Sequence, residues 1–398
     1  MRKVSKSQLS NSNILPGRLQ WMRDARLGIF FHFGTYALQG RGEWALSLER
    51  PPAAEYEQLA AHFKPKPGWA DEWMDLVVKS GARYAVMTTK HCEGYCLFAT
   101  ASTPYNAPNT GPGRDLVQEY VDACRRAGIK IGFYFTPWDW RYSFENGGPA
   151  RDSAKFEEYR QTMKTQVREL CTQYGSIDLW WWDGLMPDAE EINAWMRQAQ
   201  PQMVINDRSG LIMDCASCEG EIKPPEDSAR LWECCKTSNS HWGYFGAGDI
   251  RWMSKADVIH WLVSIASQSG NLLLNIGPQA DGSIPAKARR LFLQVGDWLA
   301  ANGVSVYGSR KCSLTGGSTG STTARGETAY FHLLHYVAPE VIILSPSVRV
   351  LSAHILTTGQ PLEVRQEGQR VIITGLPRRA PDRCDTVIVL NTEGSAEA

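Results

Sequence analysis

Neither sign of charge is in excess in this 398-residue chain: 42 Lys and Arg stand against 42 Asp and Glu. No overall field therefore draws it onto a nucleic acid or an anionic membrane surface. Long apolar runs are missing as well, so no membrane-spanning helix is expected. The first residues, MRKVSKSQLSNSNILP, are basic but lack the apolar stretch and small-residue cleavage site of a secretory leader. Ten cysteines are scattered along the chain rather than packed into a short framework, which reads as reduced thiols and a cytoplasmic location. A secreted chain whose leader had been removed would share that composition. No 20–50-residue repeat is present, which excludes a solenoid or propeller. The glycine-rich TGPGRD at 110–115 lacks the Lys-Ser/Thr of a phosphate loop. Ser-His-Asp catalysis finds no nucleophile elbow.

What is there is ordinary globular composition, 43% hydrophobic and 21% charged, with an unusual 15 Trp. Flat indole faces are what proteins present to the C–H faces of sugars or to bases. From about residue 20 to 310, short apolar β-rich runs alternate with amphipathic helical stretches. The runs are 28–33, 83–89, 130–135, 177–182, 203–206, 230–233 and 272–276; helices are predicted over 70–80, 115–127, 153–174, 188–199, 254–267 and 286–301. Several runs are apolar on successive residues, as parallel strands buried on both faces require. Seven strands fall one short of a (β/α)₈ barrel, and the irregular stretch 208–225 is the place for an eighth. After Gly308 the texture changes. A Gly/Ser/Thr-rich hinge or hairpin region at 313–326 precedes short runs at 329–334, 341–344, 352–356, 370–374 and 386–390, which read as a small antiparallel β-sandwich. The expected domains are a barrel over 1–310 and a sandwich over 311–398.

Barrel active sites lie at the carboxyl ends of the strands, so the residue after each apolar run is the one to inspect. Those residues are polar or aromatic: His32, then Lys90, His91 and Glu93, then Tyr134 with Trp138 and Asp139, then Trp181-Trp182-Asp183-Gly184, Asn206-Asp207-Arg208 and Trp232-Glu233. Such a ring suits a neutral polyol, with hydrogen-bonding groups for hydroxyls, indoles for the apolar face and carboxylates for glycosidic chemistry. Asp183 stands out, because it follows a buried run and precedes a glycine at a sharp turn. Its bland alternative is a helix cap; for His32 it is a satisfied core histidine. Cys215 and Cys218 followed by Cys234 and Cys235 form one knuckle and a vicinal pair, a weak zinc signal best read as loop thiols.

These residues resemble the retaining α-L-fucosidases of glycoside hydrolase family 29. The resemblance runs from about Leu19 to Arg310 through nine blocks in order, among them RLGIFFHFG (26–34), TTKHCEGYCLF (88–98), IKIGFYFTPWDW (129–140), IDLWWWDG (177–184), NDRSG (206–210) and GNLLLNIGPQADGSIP (270–285). It implies a (β/α)₈-like barrel, complete or short of a strand, followed by a β-sandwich, and hydrolysis of terminal α-L-fucosyl linkages without metal or organic cofactor. Position by position, it implies that Asp183 is the nucleophile. It implies that His32, Glu43, Trp44, His91, Tyr134, Trp181 and Arg208 line the fucose pocket, with Trp242 near the sugar methyl. For the general acid/base it offers Glu219 first, then Glu233, then Glu43. The partner implied is a fucosylated oligosaccharide or glycoconjugate; oligomeric state stays open.

The chain departs from the family where two adjacent histidines and an Asp are usual, carrying His91, Cys92 and Glu93 instead, and in the cysteine-rich stretch before Glu219. TPWDW resembles the branch selective for α-1,3/1,4 linkages, whereas NDRSG resembles the relaxed branch, so linkage preference stays open. Two other classes remain: a fucose-binding, lectin-like barrel without turnover, and a metal-dependent hydrolase using His32 and His91.

Overall fold

The structure, a computed structural model, describes residues 17–142, 154–246 and 250–398. Eight parallel strands form one sheet: β1 (Leu27–Phe31), β2 (Tyr84–Lys90), β3 (Lys130–Phe135), β4 (Leu179–Trp182), β5 (Val204–Ile205), β6 (Cys215–Glu219), β7 (Leu231–Thr237) and β8 (Asn271–Ile276). Their order is β5-β4-β3-β2-β1-β8-β7-β6, and a single bridge from Asn206 to Cys215 joins the two edges into a nearly closed barrel. The stretch 208–225 does hold the eighth strand, β6. Its sequence, CASCE, has no branched apolar residue, which is why no run marks it.

Helices α1 (Trp69–Lys79), α2 (Leu116–Ala127), α3 (Ala154–Gln173), α4 (Ala189–Ala199), α5 (Lys255–Ala266) and α6 (Ala286–Asn302) surround the barrel, each within two residues of its predicted bounds. Ser153, the expected start of α3, lies outside the described residues. The starts of α2 and α5 are capped: Asp115 accepts from the Gln118 N–H, and Ser254 and Asp257 form a capping box. No helix separates β5, β6 and β7; irregular chain connects them. On that side the barrel is incomplete.

Strand periodicity sorts the tryptophans of β4. Trp180 and Trp182 join the apolar layer between strands and helices, while Trp181 points into the barrel with Phe30, Tyr84 and Tyr134. Gly28 on β1 makes room for this interior, because a Cβ there would stand 2.3 Å from the Tyr84 ring.

The second sheet is antiparallel and also has eight strands: β9 (Arg310–Lys311), β10 (Ser321–Arg325), β11 (Thr328–Leu333), β12 (Glu340–Leu344), β13 (Arg349–Ile355), β14 (Pro361–Glu367), β15 (Arg370–Thr374) and β16 (Thr386–Glu393). A bridge between Thr315 and Leu344 brings its ends together around Leu314, Phe331, Ile343, Ile355 and Ile373. The fold is thus a barrel with a C-terminal sandwich. Three strands have no apolar run in the sequence, and β9 is one of them, with only two residues, both basic. β10 is polar, and its buried Thr322 and Thr323 hydroxyls are satisfied by the Leu314 and Ser305 carbonyls. β14 begins with Pro and buries only Leu362.

Candidate active site

At the carboxyl ends of the barrel strands lies a cavity of about 490 Å³. Asp183, Glu219, His32, Glu43 and Trp44 line it, as do His91, Tyr134, Trp181, Arg208 and Trp242. The sequence therefore located ten of its eleven candidate residues around one opening. The exception is Glu233, treated below.

Asp183 leaves β4 with its backbone N–H on the Phe135 carbonyl, and its own carbonyl accepts from Thr136 Oγ1 at 2.8 Å. The next residue, Gly184, has φ +124°, and a Cβ there would lie 2.9 Å from Trp138 Nε1, so only glycine turns the chain here without strain. The carboxylate does not cap a helix. Its Oδ2 accepts from the Tyr134 hydroxyl at 2.7 Å, and its Oδ1 lies 3.4 Å from Arg208 Nη2. Burial, and then the Asp183 charge, raise the Tyr134 pKa well above its ordinary value, so this phenol stays a donor.

Arg208 also reaches the other carboxylate, with Nη2 2.9 Å from Glu219 Oε2. Since both oxygens contact one nitrogen, they can be no more than about 6.3 Å apart. Burial disfavours the Arg208 charge, but Asp183 foremost, with Cys235 and Glu219, more than offsets it and raises the pKa. The guanidinium carbon sits 4.9 Å from the centre of the Trp181 ring, which stacks on Tyr134 at 5.7 Å and 16°. Glu219, at the end of β6, is 43% exposed in its side chain, so the carboxylate opens to solvent and to whatever enters the mouth.

The two histidines differ in state. His32 Nδ1 is 2.7 Å from Asn275 Oδ1, and the Asn275 amide is oriented by its Nδ2 donating to the Trp242 carbonyl. Nδ1 therefore carries the proton. Burial first, then His91, lowers the His32 pKa well below its usual value, which leaves Nε2 a neutral acceptor. For His91, burial opposes the charge, but Glu93 above all, with Glu43 and Asp183, raises the pKa; Glu93 Oε2 lies 3.6 Å from Nδ1. The surroundings thus favour the neutral ring at His32 and the charged ring at His91. Asn275 was missed by the sequence reading, although a polar residue inside the apolar run LLLNI was an available signal. Glu43 Oε2 accepts from the Gly243 N–H at 2.6 Å, which ties two loops of the rim together. Cys92 lines the cavity near Thr136, and burial, with Asp183, keeps its thiol protonated.

Glu233 requires a correction. The apolar run ended there in the sequence, but β7 continues four residues to Thr237, so Glu233 is mid-strand rather than at the mouth. It is 1% exposed and does not line the cavity. Its carboxylate accepts from Trp181 Nε1 at 2.8 Å and from the Tyr84 hydroxyl. Burial raises its pKa to about 7, against the pull of those two hydrogen bonds. Unfolded glutamate titrates near ~4.3, so in between the folded protein holds a proton that the unfolded chain has lost. Stability should therefore fall as pH rises through that window, by about 4 kcal/mol over its full width from this group. Glu233→Gln, neutral throughout, should abolish that fall. Denaturant titrations at pH 5 and pH 8 measure it; an equal pH dependence in both proteins would place its source elsewhere.

Among the described residues no cluster of three or more His, Cys, Asp or Glu is arranged to hold a metal ion. Cys218 and Cys234 are partners in the β6–β7 register, whereas Cys215 and Cys235 belong to the barrel interior.

Residues 5–304 match the family model described as alpha-L-fucosidase. The chain belongs to that family. It is 32% identical over 323 residues to the plasma alpha-L-fucosidase of Rattus norvegicus, covering 72% of this chain and 70% of that one. Among solved structures, alpha-L-fucosidase isoenzyme 1 from Paenibacillus thiaminolyticus superposes with a TM-score of 0.87 at 34% identity, covering 95% of this chain and 99% of that one. An alpha-L-fucosidase of family GH29 from Bacteroides thetaiotaomicron, described as a trapped covalent intermediate, has a TM-score of 0.86 at 26% identity over 96% of this chain and 98% of that one. This fucosidase-family chain is accordingly a glycoside hydrolase of family GH29.

Proposed function

We propose that the protein is an exo-acting, retaining α-L-fucosidase that removes terminal α-L-fucosyl residues from glycans by double displacement. The observation that carries this reading is the convergence of Asp183 and Glu219 on Arg208, with oxygens no more than about 6.3 Å apart. An arginine shared by both carboxylates supports the close arrangement of retaining glycosidases, ~5–5.5 Å between carboxyl groups, over the ~6.5–9.5 Å with which inverting ones make room for a water; the limit on single oxygens supports closeness without measuring that separation.

Asp183 attacks the anomeric carbon. Tyr134 and Arg208 hold the carboxylate in place, the tyrosine hydroxyl as a donor to it. Glu219, protonated at the start, gives its proton to the departing oxygen as the C–O bond breaks, then takes one from the water that releases the sugar. To become that acid it must let go of Arg208, which then carries Asp183 alone. Arrival of the aglycone beside the exposed Glu219 provides the displacement. His32 accepts from one sugar hydroxyl and His91 donates to another, while Trp44, Trp181 and Trp242 cover the apolar face. Turnover of an aryl α-L-fucoside, followed by NMR, tests the reading: α-L-fucose should appear first and mutarotate later. First-formed β-L-fucose would refute retention, and fucose binding without turnover would favour the lectin-like alternative.

A further inference from the structure

Covalent attack and proton transfer, as proposed above, leave the Glu233 carboxylate without a task, yet it is buried beneath the site with no basic side chain paired to it among the described residues. Two groups donate to it, the Tyr84 hydroxyl from β2 and Trp181 Nε1 from β4. An indole N–H donates and cannot accept, so no proton passes from Glu233 through Trp181 into the cavity. The ring contacts of Trp181 are Tyr134 stacked at 16°, Phe30 at its edge 5.0 Å away, and the Arg208 guanidinium over its face. Stacking fixes the plane of a ring but resists sliding within that plane only weakly. The bond from Nε1 to Glu233 supplies the missing restraint. It matters because the two groups on the faces of this indole, Tyr134 and Arg208, are the two that hold Asp183.

We propose that Glu233 is a positioning residue: it fixes the in-plane setting of the Trp181 indole from below, and through it the placement of Tyr134 and Arg208 against Asp183. This rests on the fucosidase reading. The need is for a hydrogen-bond acceptor at the right reach, not for an acid. Glutamine satisfies that need, with its amide oxygen on Trp181 and its N–H on the Tyr84 oxygen. Aspartate does not, since it keeps the carboxyl but withdraws it by one methylene.

Comparison of Glu233→Gln with Glu233→Asp separates the two roles without relying on a disruptive variant. Positioning predicts that Glu233→Gln keeps kcat/KM for an aryl fucoside and for a fucosylated oligosaccharide within about threefold of wild type. Glu233→Asp should raise KM and the Kd for L-fucose about tenfold, by the same factor for good and poor leaving groups and without azide rescue. A general acid predicts the reverse order, with aspartate ahead of glutamine and the glutamine loss largest on the poor leaving group. That order, or wild-type behaviour of both variants, would overturn the proposal. The L-fucose Kd, read by tryptophan fluorescence, keeps the two readings distinguishable. A protein that binds fucose but turns nothing over fails as a hydrolase while still ranking the two variants; one that does neither sinks both.

Discussion

Asp183→Ala should fold like the wild type and lose at least ~10³-fold in turnover of any α-L-fucoside, because covalent catalysis disappears while packing hardly changes. The side chain is 29% exposed, and its partners are a tyrosine hydroxyl and an arginine that keeps Glu219, so its removal strands no unpaired buried charge. Melting should therefore shift little. The stereochemistry of rescue is the sharper readout. With an activated fucosyl donor, azide can enter the space vacated by the carboxylate and attack the substrate directly, giving β-L-fucosyl azide with inversion. Measurement of kcat on an aryl fucoside and NMR of the azide product check both. Residual turnover within tenfold of wild type would remove Asp183 from the nucleophile role.

Glu219→Ala should show the opposite rescue and a strong dependence on leaving group. A proton donor matters in proportion to how poor the leaving group is, so natural fucosyl linkages should slow by ~10²–10⁴, the usual span for general acid/base catalysis. Loss of an activated nitrophenyl fucoside should be much smaller in the first step, with release of the glycosyl-enzyme becoming limiting. Azide should restore turnover, since it needs no deprotonation, and the product should be α-L-fucosyl azide formed from the covalent intermediate. Glu43→Ala should mainly raise KM, because that carboxylate braces the rim through the Gly243 N–H. Azide rescue of Glu43→Ala with uniform losses in Glu219→Ala would move the acid/base role to Glu43.

Legibility in the sequence followed burial. Strands with consecutive apolar residues, such as GIFFHF and IDLWWW, announced themselves, and reading the residue after each one placed Asp183, His32 and Arg208 at one mouth. The rule failed where apolar character stopped before the strand did. Cys234, Cys235, Lys236 and Thr237 extend β7 beyond the run, so Glu233 lies mid-strand and not at the rim. The irregular stretch 208–225, named as the place for an eighth strand, showed no run at β6 for the same reason in reverse, since cysteine, alanine and serine form a strand without an apolar signature. Motif order still carried Glu219 to its place. What no local pattern could show was the pairing across the barrel: that Asn275 sets the His32 tautomer, that Arg208 spans two carboxylates, and that Trp181 hangs from Glu233. Those contacts join residues 243, 25, 11 and 52 positions apart.

The bond between the anomeric carbon and Asp183 is the step that defines the proposed mechanism. Incubation with 2-deoxy-2-fluoro-L-fucosyl fluoride, whose fluorine slows both steps while the good leaving group preserves the first, should accumulate the glycosyl-enzyme. Intact-protein mass spectrometry should then show a single fluorofucosyl group, and peptide mapping should place it on the carboxylate of Asp183. Label on another carboxylate, or steady release of fluorofucose with no protein adduct and an inverted first product, would contradict the mechanism.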